Sequence, residues 1–219
     1  MIDLNGAVVL VLGASGGLGS RIASRLTVAG ATVVRADRSS GYDLRDPAMP
    51  SRIVGAIQAA HAHLDGLVIA AGVVAFGAVE ILPDAALTEL FDVNTLGPIR
   101  LIREAAPLLA VSARDGGNPF IVTLSGIVSE APTAGLAAYS ASKSALAAFT
   151  VAATRELRRS GIRIVDARPG HVETSLSQHP IAGTAPTFGP GLDPDFVAAR
   201  IVRSIIDNER DLPSTSFTS

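Results

Sequence analysis

The feature that most constrains the fold is a regular alternation of short apolar runs with longer segments of helical periodicity. The run AVVLVL at residues 7–12 is apolar throughout, as expected of a strand that is covered on both faces. This run and the alternation together predict an α/β fold in which a parallel sheet lies between two layers of helices. Further strands are predicted at 31–36, 41–44, 67–71, 120–124, 163–167 and 211–217, and helices at 18–29, 51–63, 85–109 (kinked at Gly97-Pro98), 139–159 and 195–208.

Composition narrows the class of protein. The 219 residues suit one domain over 1–219, and 48% hydrophobic against 17% charged residues indicates a large core. A net charge of −2 without a basic block argues against nucleic-acid binding. The absence of cysteine, of a signal-like start and of a membrane-length apolar run predicts a cytoplasmic protein that does not bind membranes. Residues 175–194, rich in proline and glycine, are predicted to form a substrate lid.

A glycine-rich turn, GASGGLG at residues 13–19, joins the first predicted strand to the first helix. Glycines let a backbone turn tightly and approach a pyrophosphate, whose charge meets the free N–H groups of the helix N-terminus. The position of this turn predicts a Rossmann-type, doubly wound, dinucleotide-binding sheet. The residues expected to contact the cofactor here are Gly13, Ser15, Gly16, Gly17, Leu18 and Gly19.

The same turn also fits a second class of site. Gly13, Ser15 and Gly17 match the G-x-S-x-G elbow that presents a nucleophilic serine, and Asp166 and His171 follow in the order that a hydrolase needs. The elbow usually comes after several strands, whereas this turn comes after the first. The dinucleotide hypothesis is therefore preferred, and a serine hydrolase is kept as a minor alternative.

The end of the second predicted strand bears on the choice of cofactor. Asp37, 18 residues beyond Gly19, can accept hydrogen bonds from the adenosine ribose hydroxyls, which favours NAD. A 2′-phosphate would meet that carboxylate as a like charge, with a repulsion on the order of 4 kcal/mol at about 4 Å. Arg38 could offset part of that repulsion. NAD is predicted as the preferred cofactor, and NADP is not excluded.

Several motifs resemble those of the short-chain dehydrogenase/reductase family. Tyr139-Ser-Ala-Ser-Lys143 is similar to its Y-x-x-x-K motif, and Asn94 lies in a segment similar to N-x-x-G. The segment PGHVET at 169–174 resembles the family's P-G-x-V-x-T, and Asp43-Leu44 a pair near the adenine. The resemblance runs from about residue 4 to 174, and more weakly to 217. It implies cofactor contacts from Tyr139, Lys143, Asp43, Leu44, Ala70, Ala71, Gly72, Pro169, Gly170, Val172 and Thr174.

The resemblance also implies catalytic roles. Positions i and i+4 of a helix share a face, so an ammonium at Lys143 would stabilise the phenolate of Tyr139 and lower its pKa towards neutrality. Tyr139 is then the expected general acid and base. Lys143 would tune it and hold the nicotinamide ribose, and Asn94 would support a proton relay.

Three departures from the family pattern stand out. The usual N-N-A-G after the fourth predicted strand reads Ile69-Ala70-Ala71-Gly72, and between Asp37 and Asp43 there is no room for the customary extra helix. A gapless match also puts Gly126 where the family's substrate-orienting serine stands. We expect Ser125, the preceding residue, to supply that hydroxyl, with Ser129 as the second choice.

These observations predict an oxidoreductase that transfers hydride between a nicotinamide cofactor and a carbonyl or secondary alcohol. The alternative from another class is a non-catalytic dinucleotide-binding sensor on the same fold. No metal site is expected, since His61 and His63 point to different faces of a helix. The apolar helix 144–159 predicts a second buried face and hence a homodimer or homotetramer. The sequence identifies neither the substrate nor the reaction direction.

Overall fold

The structure, a computed structural model, describes residues 1–218. Within them a five-stranded parallel sheet has the order β2-β1-β3-β4-β5. The strands are β1 (Val8–Leu12), β2 (Thr32–Ala36), β3 (Gly66–Ile69), β4 (Phe120–Leu124) and β5 (Arg163–Ala167). The helices are α1 (Gly17–Val28), α2 (Met49–His61), α3 (Asp84–Phe91), α4 (Gly97–Arg114), α5 (Ala137–Leu157) and α6 (Pro194–Ile206). The predicted α/β class and the doubly wound parallel sheet are confirmed.

Alternating side chains of the central strand β1 build a core on each face of the sheet. Leu10 and Leu12 point into one apolar cluster, which α2, α4 and α5 cover. Val9 and Val11 point into the other cluster, which α1 and α6 cover. Both faces of β1 are buried, which is why its sequence is apolar at every position. The sheet and the helices on its two faces form three layers.

The long helix predicted at 85–109 is two helices, α3 and α4, joined by a π-helical turn at Asp92–Leu96. Pro98 follows this turn and has no N–H to donate, which suits an interrupted hydrogen-bond ladder. The kink predicted at Gly97-Pro98 therefore lies next to this π-helical turn. The helix also continues through Pro107 to Arg114, five residues beyond its predicted end.

Two predicted strands, 41–44 and 211–217, are wrong. After β2, the Asp37 side chain caps a short 3₁₀ helix at Arg38–Ser40, and Gly41 then takes a left-handed φ of +88°. Near the C-terminus only a single bridge pairs Ala167 with Leu212. Pro213 then lacks the N–H that a ladder would need, and a 3₁₀ helix covers Ser214–Phe217.

The strand order creates a switch point between β1 and β3. From β1 the chain moves to β2 on one side, and it returns to β3 on the other side before continuing outward. The connections after β1 and β3 therefore diverge at the carboxyl ends of two adjacent strands. Open α/β sheets bind ligands in the crevice formed there.

Candidate active site

A cavity of about 750 Å³ opens at the carboxyl edge of the sheet. It runs from the glycine turn after β1, past the segment after β3, to the ends of β4 and β5 and the start of α5. The predicted cofactor and catalytic residues line one continuous space, with the exception of Asn94, which lies behind its wall.

The glycine turn at one end of the cavity is packed too closely for side chains. At Gly13, with φ +86°, a Cβ would lie 2.6 Å from the Ala71 nitrogen, and at Gly19 it would lie 2.1 Å from the Gly13 carbonyl oxygen. At Gly17 it would lie 2.9 Å from the Thr174 side chain. The turn therefore brings the N-terminus of α1 against the segments after β3 and β5. The first N–H groups of such a helix lack acceptors within the helix.

Asp37 lies at the end of β2 on the cavity wall. Its Oδ1 accepts hydrogen bonds from the Ser39 hydroxyl at 2.5 Å, the Ser40 N–H at 3.0 Å and the Ser40 hydroxyl at 3.3 Å. The Ser39 hydrogen bond is the largest cause that lowers the pKa of Asp37, and the Ser15 hydroxyl also contributes. The carboxylate is thus held ionised and oriented, with Oδ2 remaining as an acceptor.

The residues beyond Asp37 add charge to this end of the cavity. Arg38 is exposed. The Arg45 guanidinium forms ion pairs with Asp43 at 2.6 Å and with Glu89 at 3.4 Å. Arg45 is a cavity residue that the sequence analysis did not identify. Leu44 is buried against Gly97, where a Cβ would lie 2.7 Å from the Leu44 Cβ.

Asn94 ties the segment after β3 to α5. Its Oδ1 accepts from the Val73 N–H at 3.0 Å, and its Nδ2 donates to the Val73 carbonyl at 2.9 Å and the Ser142 hydroxyl at 3.1 Å. The side chain is 1% exposed. A Cβ at Gly72 would lie 3.2 Å from the Asn94 Oδ1 and 3.4 Å from the Lys143 Nζ. The absence of a side chain there lets both groups approach the backbone after Ala70 and Ala71.

Tyr139 and Lys143 lie on the first turns of α5 and line the cavity together. The Lys143 Nζ is 5.9 Å from the centre of the Tyr139 ring and donates to the Leu124 carbonyl at 2.8 Å. Burial lowers the pKa of Lys143 to about 8, although the charge of Asp166 opposes this shift. Burial likewise raises the pKa of Tyr139 to about 12. In the protein alone, desolvation of the phenolate therefore opposes the expected lowering of the Tyr139 pKa.

The hydroxyl of Ser125 points into a polar network behind the cavity wall. It is 2.5 Å from Asp166 Oδ2, to which it donates, and 3.0 Å from the Ser129 hydroxyl. Thr123 donates to the other oxygen of Asp166 at 2.7 Å, and Arg168 lies 3.5 Å from Oδ2. Burial is the largest influence on the pKa of Asp166 and raises it. The sequence analysis considered Asp166 only as part of a hydrolase.

Residues after β5 form a further part of the cavity wall. Pro169, Gly170, His171, Val172 and Thr174 line the cavity. Two isolated bridges, Val172 with Leu192 and Ala75 with Ala182, attach the irregular segment 175–194, which contributes Leu176, Ile181 and Phe188 to the cavity lining. Within this segment the ring of Phe188 stacks on that of His171, with the ring centres 4.4 Å apart.

The hydrolase triad is not assembled. Asp166 binds Ser125, Thr123 and Arg168, and the carboxylate nearest to the His171 ring is that of Glu173, at 3.8 Å. Ser15 belongs to the glycine turn, and its hydroxyl contributes to lowering the pKa of Asp37. Among residues 1–218 no three His, Cys, Asp or Glu side chains are grouped as metal ligands, and no helix is long and apolar enough to span a membrane.

Fold and site together define a dinucleotide-binding oxidoreductase architecture, with a glycine turn at one end of a crevice and a Tyr-Lys pair at the other. The family model for short chain dehydrogenases matches residues 40–183, more than half of the chain, and the chain belongs to this family. It is therefore placed among oxidoreductases that act on CH–OH or C=O groups. The comparisons give no support to a non-catalytic sensor.

Individual relatives agree with this placement. A protein of Anopheles gambiae named dehydrogenase/reductase SDR family protein 7-like is 29% identical over 95% of this chain and 75% of its own length. The 2,3-dihydro-2,3-dihydroxybenzoate dehydrogenase of Escherichia coli is 29% identical over 81% of this chain and 74% of its own. A 3-ketoacyl-(acyl-carrier-protein) reductase from Brucella melitensis, solved with NADH, has the same fold, with a TM-score of 0.86 at 23% identity, covering 96% of this chain and 97% of its own.

Proposed function

We propose that this chain, as one domain with a lid at 175–194, catalyses reversible hydride transfer between NAD and a carbonyl or secondary alcohol, with Tyr139 as the general acid and base. The observation that carries the proposal is the single cavity that joins the glycine turn to the Tyr139-Lys143 pair. A dinucleotide needs phosphate contacts at one end and a proton-transfer group at the other. Both are available here within one space.

The residues present fit a dinucleotide. The turn at 13–19 has no room for Cβ atoms at Gly13 and Gly19, which suits close backbone approach by a pyrophosphate. The N-terminus of α1 would add its positive dipole end. Asp37 would accept the adenosine ribose hydroxyls on Oδ2, while Asp43 and Leu44 would lie near the adenine. Ala70, Ala71, Gly72, Pro169, Gly170, Val172 and Thr174 would contact the nicotinamide half.

NAD is preferred over NADP because Asp37 keeps its charge at the edge of the cavity. Its hydrogen bonds to Ser39 and Ser40 hold that charge in place, so a 2′-phosphate would meet a fixed carboxylate. Arg38 and Arg45 offer cations nearby, but Arg45 is already paired with Asp43 and Glu89. Arg38 is the residue that would accommodate NADP.

A nicotinamide bound at this site would supply or accept the hydride at its C4 carbon. In reduction, Tyr139 gives its phenolic proton to the substrate oxygen as the carbonyl carbon gains a hydride. In oxidation, the Tyr139 phenolate takes the hydroxyl proton, and the C–H electron pair leaves the substrate carbon with the hydrogen. A Tyr139 pKa of about 12 keeps the phenol protonated at neutral pH, the form that reduction requires. The Lys143 ammonium offsets the charge that develops on the phenolate.

The test begins with paired titrations of NADH and NADPH, followed by a panel of aldehydes, ketones and secondary alcohols read by nicotinamide absorbance. We expect tighter binding of NADH and turnover of at least one carbonyl. Dinucleotide binding without turnover of any panel member would contradict the enzymatic proposal. No binding of either nucleotide would contradict the cofactor assignment as well.

We also propose that the chain forms a homodimer or homotetramer through α5. The inner face of this helix is buried, whereas Ala141, Ala148, Val151 and Ala152 are exposed, Val151 to 57%. A helix with an apolar outer face gains by burying it against a second copy.

A further inference from the structure

The inference concerns the group that orients the substrate oxygen, and it rests on the proposed function. A carbonyl oxygen that receives a proton from Tyr139 benefits from a second hydrogen-bond donor, which stabilises the charge that develops on it. Gly126, with φ +72°, offers no side chain for this purpose. The donor must therefore come from another residue of the cavity wall.

Ser125 is poorly suited to that task. Its hydroxyl is 0% exposed and donates its only proton to the Asp166 carboxylate at 2.5 Å. Asp166 is itself fixed by Thr123 at 2.7 Å and by the Ser125 N–H at 3.3 Å. To donate to a substrate, Ser125 would have to give up a hydrogen bond to a buried carboxylate, the stronger kind.

Ser129 does not line the cavity. Its hydroxyl donates to the Gly126 carbonyl at 2.7 Å and contacts the Ser125 hydroxyl at 3.0 Å. The cavity wall of this connection consists of residues 124–128, Thr133 and Leu136, so Ser129 does not contribute to it. The hydroxyls of Ser125 and Ser129 thus serve the network around Asp166.

Thr133 is placed differently. It lines the same cavity as Tyr139, and its Oγ1 donates at 3.2 Å to the exposed carbonyl of Ala131. When the Thr133 hydroxyl turns away, water can donate to the Ala131 carbonyl instead at little cost, because this carbonyl lies at the surface. The Thr133 hydroxyl is therefore free to change partner when a substrate enters.

The backbone of Thr133 is anchored to the helix that carries Tyr139. The Thr133 N–H donates to the Ser140 hydroxyl at 3.4 Å, and its carbonyl accepts from the Leu136 N–H at 3.1 Å. The Ser140 N–H in turn donates to the Leu136 carbonyl at 2.7 Å. These contacts hold residue 133 against the first turn of α5, beside the general acid.

We propose that Thr133 is a catalytic residue whose hydroxyl donates the second hydrogen bond to the substrate oxygen, in place of the side chain that Gly126 lacks. Tyr139 and Thr133 then approach the oxygen from two elements, α5 and the connection before it. The Ser125-Asp166 network lies behind the cavity wall, at the ends of β4 and β5.

The test compares Thr133→Val, which removes the hydroxyl and keeps the shape, with Thr133→Ser, which keeps the hydroxyl. Substrates are those turned over by the wild-type protein. For Thr133→Val we expect kcat/KM for the carbonyl to fall on the order of 10²-fold, with most of the loss in kcat and NADH affinity within about twofold of wild type. Thr133→Ser should recover most of the activity. Thr27→Val, the same change at an exposed threonine of α1 outside the cavity wall, is the matched control and should stay near wild type.

The outcomes separate this proposal from the one on which it rests. A Thr133→Val protein with near-wild-type kcat, alongside an inactive Ser125→Ala protein, would overturn the assignment to Thr133 and return the role to Ser125. Loss of NADH binding in Thr133→Val would show a structural effect and also overturn it. A wild-type protein without any turnover would instead remove the proposed function, and the Thr133 assignment with it.

Discussion

The Lys143 Nζ donates a hydrogen bond to the carbonyl oxygen of Leu124 at 2.8 Å, which joins α5 to the end of β4. The ammonium is thereby buried, with 6% of the residue exposed, next to a strand end and the Tyr139 ring. Burying a cation destabilises the folded state, and this destabilisation can be measured by replacing Lys143.

The first prediction concerns stability. Burial lowers the pKa of Lys143 from 10.5 to about 8, so the folded state is penalised while the side chain is charged. The penalty is full below the folded pKa and disappears as pH rises through the unfolded pKa. Lys143→Met should therefore increase the free energy of unfolding at pH 7 by about 2 kcal/mol, after allowing for the lost Leu124 hydrogen bond.

Urea unfolding at pH 7 and at pH 10 measures this effect. The advantage of Lys143→Met over wild type should shrink steeply between pH 8 and pH 10. Lys143→Arg keeps the charge and should show no stabilisation. A Met variant that is less stable than wild type at pH 7 would contradict the assigned burial cost.

The second prediction concerns the pH dependence of reduction. Lys143 loses its proton near pH 8 in the free protein, whereas Tyr139, with a pKa of about 12, keeps its proton through this range. We expect kcat/KM for NADH to be constant from pH 6 to pH 7.5 and to fall above about pH 8, since this quantity reports groups of the free enzyme. In Lys143→Arg any remaining activity should lack this fall up to pH 10. A wild-type profile that is flat from pH 7 to pH 10 would rule out the role of the Lys143 charge.

The third prediction concerns cofactor choice. Asp37→Asn removes the charge but keeps an acceptor that can cap the 3₁₀ helix at Arg38–Ser40. The ratio of kcat/KM for NADPH to that for NADH should rise at least about tenfold, as expected when a like-charge contact is removed. Asp46→Asn, the same charge change at a residue outside the cavity wall, should leave the ratio unchanged. An unchanged ratio in Asp37→Asn would mean that Asp37 does not contact the ribose.

The fourth prediction concerns assembly. Val151→Asp places a charge on the exposed apolar face of α5 and should convert an oligomer to a monomer at micromolar concentration, as read by light scattering. Arg155→Asp, on the same helix at an exposed polar position, should have a weaker effect. A wild-type monomer under the same conditions would contradict the proposed oligomer.

Much of the fold was predictable because local pattern and burial agree. β1 is an apolar run in the interior of the sheet, and its bounds and those of β4 and β5 were predicted within one residue. The failures at 41–44 and 211–217 have a different cause. There the side chain of Asp37 and the missing N–H of Pro213 decide the backbone, and strand propensity does not.

Which residues line the cavity was largely predictable, whereas the directions of their side chains were less so. The i, i+4 spacing predicts that Tyr139 and Lys143 share one helix face, as the structure shows. The position of the glycine turn after β1 predicts that it lies at the carboxyl edge of the sheet, where it contacts Ala71. The direction of the Ser125 hydroxyl depends on Asp166, 41 residues away in the chain, and no local pattern reveals this contact. The raised pKa of Tyr139 likewise depends on tertiary burial.

The most direct measurement is the turnover of Tyr139→Phe beside its affinity for NADH. The phenyl ring keeps the packing of α5 and removes only the hydroxyl, so NADH should bind within about twofold of wild type. Carbonyl reduction should fall by about 10³-fold or more, the scale of a lost general acid with its orienting contact. A Tyr139→Phe protein that reduces the carbonyl at the wild-type rate would contradict the account.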